Sequence, residues 1–480
     1  MARGQGERVG TEGYQVPFEV LDLSYMEALQ TLHAACKFGI QPMLETVVDM
    51  LAELGDPDLS FRSLQIAGTN GKTSTSRYAA AILRGQGLRV ALYTSPELVS
   101  LTERMEVDGV PVSEGTFARG VAAAVDAGRR VNIRRRASGE RPYDVTQFDI
   151  LTVAACVAFA QADVDVAVLE CGMGGRWDAT SAVKSIEAVA VTGVGLDHTR
   201  ILGDTLEAIA GEKAAIIRCG QSCVLGVGTA TPDSVEDVFL DRCRSQDVTP
   251  VLLRPERLED AAGEMHAGVP RRHASLLRAS YRITSRPRCL GAPLELTVRT
   301  PRRAYTGLTA LKPSYQAANI ACAVTLTEAF LDGELDGDRL LESVRQCPTP
   351  GRFSLLRPNP PVLVDACHNP QSVDAFLAAL QDIAPDPATR PPLLCAVLAD
   401  KDVGGIVSRL ARAFPAVVCT QTSSSRSLGA DELVRRFLAA GAKVTGNYGS
   451  VAAALAAMSA GPLVGCGSIT LAGALAALLA

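Results

Sequence analysis

Six residues in the first part of the chain have the types and the spacing that hold nucleotide phosphates, in the order Gly68-Thr69-Asn70-Gly71-Lys72-Thr73. They lie between a predicted strand at residues 64–67 and a predicted helix at residues 73–84. Glycine lets backbone N–H groups approach phosphate oxygens, and the helix N-terminus adds partial positive charge. Lys72 can reach the outer phosphates, and the Thr73 hydroxyl can bind a metal ion. The loop is one residue shorter than the common phosphate loop, and the alternative is a glycine turn that only caps the helix.

A single acid, Glu170, follows a predicted apolar strand at residues 164–169 and precedes a run of glycines. In an open α/β sheet, ligands bind at the carboxyl ends of the strands. Mg²⁺ prefers carboxylate and phosphate oxygens as ligands. We therefore predict that Glu170 and the phosphate loop share one nucleotide and its metal. The alternative is that Glu170 caps a helix.

Short apolar runs alternate with helical patterns along most of the chain, which predicts an α/β fold with a mostly parallel sheet. The alternation breaks at residues 254–306, where short strands and frequent Arg and Pro indicate an antiparallel excursion or edge. A cluster of prolines then marks a boundary. We predict a P-loop-containing ATPase domain at residues 1–348, a linker at residues 349–361 and a smaller Rossmann-like α/β domain at residues 362–480.

Composition narrows the class of protein. The 480 residues are 47% hydrophobic and carry a formal net charge of -5, so the excess of basic residues expected of a nucleic-acid binder is missing. The 13 cysteines include no Cys-x-x-Cys pair and indicate free thiols in a reducing compartment. Residues 1–8 lack a secretory signal pattern, and the apolar run at residues 469–480 is too short to cross a bilayer. We expect a cytoplasmic monomer that binds neither membrane nor nucleic acid.

Several motifs, taken together, resemble those of one family. Residues 67–74 resemble the nucleotide loop of the Mur ligases, and residues 170–180 closely match a motif of the folylpolyglutamate synthase/dihydrofolate synthase family, in the order Glu-Cys-Gly-Met-Gly-Gly-Arg-Trp-Asp-Ala-Thr. Further matches lie at residues 37–40, 51–57, 94–98, 146–152, 195–205, 212–214, 315–319, 351–353, 365–370 and 401–403. Because the matches keep the family's order, the chain is similar to this branch of the Mur ligase superfamily along most of its length.

The resemblance implies an ATP-dependent, ADP-forming ligase. The γ-phosphoryl group of ATP would pass to a substrate carboxylate, and the amino group of L-glutamate would attack the resulting acyl phosphate and release phosphate. The implied acceptor is folate or dihydropteroate. Such catalysis depends on positioning and on charge neutralisation by Mg²⁺ and by Lys72.

The resemblance also assigns roles to individual residues. Catalytic roles fall on Lys72, Glu170, His198 and Lys213. Two magnesium sites are implied, with the ligands Thr73, Ser95, Glu170 and His198. The implied ATP contacts are Gly68, Thr69, Asn70, Gly71, Lys72, Thr73, Ser74, Asn319, Arg352, Asp365 and His368. The implied substrate contacts are Phe148, Asp149 and Asp197.

Two of these residues have simpler alternative explanations. His198 alone is more typical of a structural histidine, and Lys213 alone is typical of a surface ion pair. The resemblance instead implies that Lys213 is carbamylated. This reaction needs the neutral amine, so its pKa must fall from the ordinary value of about 10.4.

The chain departs from the family pattern at several positions. Thr73 and Cys367 replace the usual Gly and Ala, Glu97 stands where His is usual, and Asp149 shortens the usual Glu. Two alternatives therefore stay open. One is a Mur-superfamily ligase that acts on another carboxylate, such as a cell-wall precursor. The other is a P-loop ATPase without ligase activity.

Overall fold

The computed structural model describes residues 13–35, 43–256, 276–458 and 461–480. Three sequence-based interpretations fall at least partly outside these ranges. They concern the signal pattern at residues 1–8, the family match at residues 37–40 and the centre of the 254–306 segment.

One large sheet contains the first eleven strands of the described chain. These are β1 Arg62–Ala67, β2 Val90–Tyr93, β3 Met105–Val107, β4 Val110–Pro111, β5 Val166–Glu170, β6 Ile186–Gly193, β7 Ser222–Gly228, β8 Val251–Pro255, β9 Leu277–Ser285, β10 Leu294–Arg299 and β11 Ala304–Ala310. Their spatial order is β11-β10-β9-β8-β7-β6-β1-β5-β2-β3-β4.

The centre of this sheet, from β2 through β5, β1, β6, β7 and β8 to β9, is parallel. Its two edges, β3-β4 and β10-β11, are antiparallel. The predicted mostly parallel sheet is therefore confirmed, and so is the antiparallel edge in the described part of residues 254–306. Every residue of β5 is buried, as expected for a parallel strand that is covered on both faces.

Helices cover both faces of the sheet. They are α1 Tyr25–Ala34, α2 Leu44–Glu53, α3 Lys72–Gly85, α4 Glu114–Ala137, α5 Gln147–Gln161, α6 Thr199–Leu202, α7 Leu206–Ala214, α8 Asp233–Ser245, α9 Gln316–Leu331 and α10 Gly337–Gln346. Helices α3, α9 and α10 bury one apolar core with the sheet. Helices α2, α4, α5, α7 and α8 bury another on the opposite face. Because β1 and β5 alternate between these cores, their carboxyl ends are held firmly in place.

A second, smaller sheet contains the rest of the strands. They are β12 Ser354–Pro358, β13 Pro361–Asp365, β14 Leu393–Cys395, β15 Val417–Thr420, β16 Val444–Tyr448 and β17 Leu463–Cys466. Their order is β12-β13-β17-β14-β15-β16, and only β12 pairs antiparallel. The accompanying helices are α11 Pro370–Ile383, α12 Val403–Leu410, α13 Ala430–Ala439, α14 Val451–Met458 and α15 Ile469–Leu479. Apolar cores lie on both faces, so the second α/β unit agrees with the prediction.

Three details differ from the predicted elements. The predicted linker at residues 349–361 contains β12, which joins the second sheet as an edge strand. Strand β16 and helix α14 were not predicted. The strand contains Gly446 and Asn447 and so lacks a typical strand composition. Helix α7 ends three residues before the predicted end, at Ala214 rather than at residue 217. The apolar pattern misled here because Ile216 and Ile217 are buried in the following loop.

None of the helices in the described ranges is long and apolar enough to cross a membrane. The twelve cysteines in these ranges are all free thiols, and most are buried.

Candidate active site

The phosphate loop connects the end of β1 to the start of α3, as predicted. Gly68 has φ +154° and Gly71 has φ +85°, which is a region that favours glycine. A Cβ on Gly68 would collide with Thr192, and a Cβ on Gly71 would collide with the Asn319 amide oxygen. The two glycines therefore let the loop pack closely against β6 and α9. The alternative of a simple capping turn does not explain this close packing.

Two lysines meet at one carbonyl of the loop. Lys72 Nζ and Lys213 Nζ each donate a hydrogen bond of 3.1 Å to Gly68 O. Lys213 is only 3% exposed, so its interpretation as a surface ion pair is wrong. Burial, and then the charge of Lys72, lower the pKa of Lys213 to about 7. A substantial fraction of Lys213 is therefore a neutral amine near neutral pH.

Glu170 lies beside the phosphate loop, at the end of β5. Its Oε1 accepts a hydrogen bond from Thr73 Oγ1 (2.8 Å), and its Oε2 accepts one from Ser95 N (3.3 Å). Burial raises the pKa of Glu170, while the nearby charges of Lys72 and Arg352 oppose that rise. The structure thus brings Lys72, Thr73, Ser95 and Glu170 into one cluster, and Glu170 does not serve as a helix cap.

Next to this cluster lies an acid that is held by residues of the second sheet. Asp197 Oδ1 accepts a hydrogen bond from Lys401 Nζ at 2.6 Å, and its Oδ2 lies 3.5 Å from His368 Nε2. Burial alone would raise the pKa of Asp197, but His368, His198 and Lys401 lower it well below the ordinary value. Asp197 was predicted to contact substrate. Its partners in the described structure are instead protein groups, namely the Lys401 ammonium, the His368 imidazole and the His198 backbone amide, so the substrate contact stays a prediction.

His198 follows Asp197 and has a left-handed backbone, with φ 53°. Its Nε2 lies 4.0 Å from Asp197 Oδ2. Burial, with the charges of Lys401 and Lys72, lowers the pKa of His198 to about 4 despite the opposing effect of Asp197. The imidazole is therefore neutral near pH 7, which is the form that binds metals.

The second sheet contributes a further buried acid, Asp365, which ends β13 and is 3% exposed. It accepts hydrogen bonds from Tyr315 Oη (2.7 Å), Phe353 N (2.9 Å) and Cys367 N (2.9 Å). Burial raises the pKa of Asp365, and the charge of Arg352 opposes this rise. The charge of Arg352 also opposes the rise in the pKa of Glu170. Arg352, which was predicted to contact ATP, therefore acts electrostatically on one buried acid of each sheet.

Two other predicted ATP contacts, Asn319 and Ser74, are linked through Gln316. Asn319 Nδ2 donates to Gln316 Oε1 (2.8 Å), and Gln316 Nε2 donates to Ser74 Oγ (3.1 Å). These bonds connect α9 to α3 directly behind the loop. In the described structure, Asn319 and Ser74 therefore support the loop.

The two residues that were predicted to contact substrate in helix α5, Phe148 and Asp149, have different surroundings. A Cβ on Gly172 would be 2.6 Å from Phe148 Cζ, and the Phe148 ring lies 6.0 Å from the Tyr93 ring, so Phe148 borders the glycine run after Glu170. Asp149 Oδ2 instead accepts a hydrogen bond from Thr146 N (2.9 Å) in the capping box of α5. Its carboxylate therefore has a structural partner, and its contact with substrate stays a prediction.

Sequence reasoning missed several residues of the site. Lys401 and Tyr315 lie in motifs that match the family, so a signal was present for both. Gln371 carries no recognisable signal, although Asn70 Nδ2 donates a 2.8 Å hydrogen bond to its Oε1 across 301 positions of the sequence. Thr192 likewise gives no pattern, yet its hydroxyl donates to Asn70 O (2.6 Å).

Among the described residues, no group of three or more His, Cys, Asp or Glu side chains could hold a metal ion. A divalent cation beside Glu170 and Thr73 would therefore complete its shell with phosphate and water oxygens. Mg²⁺ binds in this way in nucleotide sites, and the residues present fit it.

A phosphate loop after β1, a buried acid at the end of β5 and a second α/β unit that contacts the phosphate loop define an ATP-dependent ligase of the Mur type. In agreement, the Mur ligase middle domain family matches residues 66–227. The family described as Mur ligase, glutamate ligase domain, matches residues 351–467.

Similar proteins show which family of Mur-type ligases the chain belongs to. The chain is 33% identical over 413 residues to the dihydrofolate synthase/folylpolyglutamate synthase of Mycobacterium tuberculosis, which covers 84% of this chain and 78% of that protein. It is 32% identical over 433 residues to a probable bifunctional folylpolyglutamate synthase/dihydropteroate synthase of Haloferax volcanii, but spans only 47% of that protein. The crystal structure of M. tuberculosis folylpolyglutamate synthase complexed with ADP and AMPPCP superposes with a TM-score of 0.80 at 28% identity, over 95% of this chain and 99% of that one. The chain therefore belongs to the folylpolyglutamate synthase/dihydrofolate synthase family.

Proposed function

We propose that this protein uses ATP to join L-glutamate to a carboxylate of folate or dihydropteroate, with ADP and phosphate as the other products. The observation that carries the proposal is the cluster formed by Lys72, Thr73, Ser95 and Glu170 at the carboxyl ends of β1, β2 and β5. Relatives in the same family are named for these two reactions, and a similar structure was solved with ADP.

The loop and Lys72 hold the triphosphate, because backbone N–H groups and one ammonium group compensate its negative charge. Arg352 lies near Glu170 and Asp365, so it approaches the nucleotide from the second sheet. Asn319, Asp365 and His368 complete the nucleotide site on the side of α9 and α11. Positioning of this kind supplies much of the catalysis in phosphoryl transfer.

We place two magnesium sites here, with Thr73, Ser95 and Glu170 at the first and Glu170 and His198 at the second. Bound magnesium would neutralise negative charge on the phosphate oxygens. Among the described residues, Glu170 accepts hydrogen bonds from Thr73 and from Ser95 N, so it keeps acceptor positions for a metal. The neutral His198 imidazole suits a ligand role, although imidazole is unusual for Mg²⁺.

Lys213 becomes carbamylated in this proposal. Its neutral amine attacks CO₂, an N–C bond forms and one proton is released, which leaves a carbamate anion. Support comes from the pKa of Lys213, which burial and Lys72 lower to about 7. A carbamate would also turn the repulsion between Lys213 and Lys72 into attraction.

The reaction has two steps. The acceptor carboxylate oxygen attacks the γ-phosphorus and ADP leaves, which gives an acyl phosphate. The amine of L-glutamate then attacks the acyl carbon, the amide bond forms, and phosphate leaves. Contacts from Asn369, Gln371 and Lys401 to the first sheet help to exclude water, which would otherwise hydrolyse the intermediate.

We further propose domains at residues 1–348 and 362–480, and a monomer in the cytoplasm. The free thiols of the described ranges agree with a reducing compartment.

The test is product formation from purified protein, MgATP and L-glutamate with dihydropteroate, tetrahydrofolate or a cell-wall nucleotide as acceptor, followed by ADP release and mass spectrometry. We expect a glutamyl amide with a folate acceptor, and ADP release that depends on acceptor and L-glutamate together. Lys72→Ala abolishes product, whereas Lys443→Ala, at an exposed lysine, retains it. ADP release that ignores both substrates would refute ligation.

A further inference from the structure

One side chain from the second α/β unit reaches between two loops of the first. Gln371 lies in the first turn of α11, and its Oε1 accepts a hydrogen bond from Asn70 Nδ2 at 2.8 Å. A Cβ on Gly195 would collide with the same oxygen. Gln371 therefore contacts the phosphate loop and also the loop that leads to Asp197 and His198.

The neighbouring Asn369 has a different role. Its Nδ2 donates to Asn70 Oδ1 (3.0 Å). Its Oδ1 accepts from Ser372 N (2.8 Å) and so caps α11, and it also accepts a longer bond from Asn70 Nδ2 (3.4 Å). The Gln371 side chain makes no other hydrogen bond within the described part of the chain. Its amide thus has no structural task in its own helix, and only the contact with the first sheet explains its position.

The two loops already form one unit without Gln371. Thr69 Oγ1 accepts from Gly195 N (3.0 Å) and donates to Gly195 O (3.1 Å). Thr192 Oγ1 donates to Asn70 O (2.6 Å). Gln371 adds a link from the second sheet to this unit, and that link exists only while the two sheets are in contact.

We propose that Gln371 is a positioning residue, which acts through Asn70 and aligns the phosphate and His198 loops with the second sheet during ligation. The inference rests on the proposed function and adds a residue that does not touch the reacting atoms. Without Gln371, the phosphate loop keeps the protein groups that bind the nucleotide, Lys72 and Thr73. Its alignment with the second sheet is weakened, although the contacts of Asn369 and Lys401 remain, so turnover falls and water competes for the acyl phosphate.

The test compares Gln371→Ala with the wild-type protein. We expect kcat for amide formation to fall about tenfold, as for the loss of one hydrogen bond that matters in the transition state. Affinity for MgADP stays within about twofold, because Lys72 and Thr73 are unchanged. The ratio of phosphate released to amide formed rises, which a purely structural role would not produce.

Two controls sharpen the test. Asp374→Ala lies on the same helix and removes only an exposed ion pair with Arg409, so it retains the wild-type kcat and ratio. The double variant Asn70→Ala/Gln371→Ala loses no more activity than Asn70→Ala alone, because interacting residues are not additive. A wild-type kcat in Gln371→Ala, an equal loss in Asp374→Ala or additive losses in the double variant would overturn the assignment.

Product formation by the wild-type protein in the same assay tests the proposed function separately. If no amide forms, hydrogen exchange of the MgADP-bound protein decides the inference. Gln371→Ala should then accelerate exchange at residues 69–71 and 195–198, and Asp374→Ala should not. Unchanged exchange in Gln371→Ala would refute the positioning role.

Discussion

Two buried acids end parallel strands, one in each sheet, and they differ in their surroundings. Glu170 ends β5 and Asp365 ends β13. Burial raises the pKa of both, and the charge of Arg352 opposes the rise in both. However, Glu170 accepts hydrogen bonds from one hydroxyl and one backbone amide, whereas Asp365 accepts one from a phenol and two from backbone amides.

The difference separates two functions of a buried carboxylate. A carboxylate offers about four acceptor positions, and Glu170 has more of them free for a ligand than Asp365. Asp365 uses its oxygens to fix Tyr315, Phe353 and Cys367. We infer that Glu170 acts mainly on the bound nucleotide and its metal, and that Asp365 mainly organises the second sheet's side of the site.

The largest effect should come from Glu170→Gln. We expect amide formation to fall about 1000-fold, equivalent to about 4 kcal/mol of transition-state stabilisation. The free energy of unfolding should not fall, because the Gln amide can bond both Thr73 and Ser95 N without a buried charge. Activity assays and thermal unfolding measure the two quantities. A large loss of stability would remove the contrast with Asp365.

Asp365→Asn should show the opposite balance. An Asn amide nitrogen cannot accept a hydrogen bond, so it leaves either Phe353 N or Cys367 N without an acceptor. One such buried loss costs about 1–3 kcal/mol. We expect a lower melting temperature and a loss of activity of about 10-fold to 100-fold. Equal stability of the variant and the wild-type protein would contradict the organising role.

Tyr315→Phe removes a single bond to Asp365 and leaves the carboxylate in place. We expect a stability loss of about 1 kcal/mol and a rise of a few-fold in the KM for ATP, with kcat almost unchanged. Steady-state kinetics with varied ATP, together with denaturant unfolding, provide the measurement. A fall in kcat as large as that of Glu170→Gln would place Tyr315 in the chemistry instead.

A further effect concerns Lys213 and, unlike the others, depends on pH. The pKa of Lys213 is about 7 in the folded chain and about 10.4 in an unfolded one, so the unfolded state binds more protons between these values. Stability of the wild-type protein therefore rises as pH increases from about 7 to about 10. In CO₂-free buffer without nucleotide, Lys213→Met should be most stabilising below pH 7. A pH-independent difference in melting temperature would refute the lowered pKa.

Sequence alone predicted the first half of the site better than the second. The phosphate loop and Glu170 are local patterns at strand ends, so their spacing reveals both position and chemistry. The contact of Asp197 with Lys401 spans 204 positions and that of Asn70 with Gln371 spans 301. Such contacts depend on how the sheets pack, which no local pattern encodes. The use of Asp149 as a helix cap was hidden for another reason, because one side chain type serves both caps and ligands.

The shared carbonyl of Gly68 has a consequence for calorimetry. Lys72 and Lys213 both point their amino groups at this oxygen, and a triphosphate bound beside them would favour a second positive charge. In CO₂-free buffer, where Lys213 keeps its free amine, it should then take up part of a proton from the buffer when nucleotide binds near pH 7. The apparent binding enthalpy should differ between Tris and PIPES in proportion to their ionisation heats, and Lys213→Met should abolish that difference.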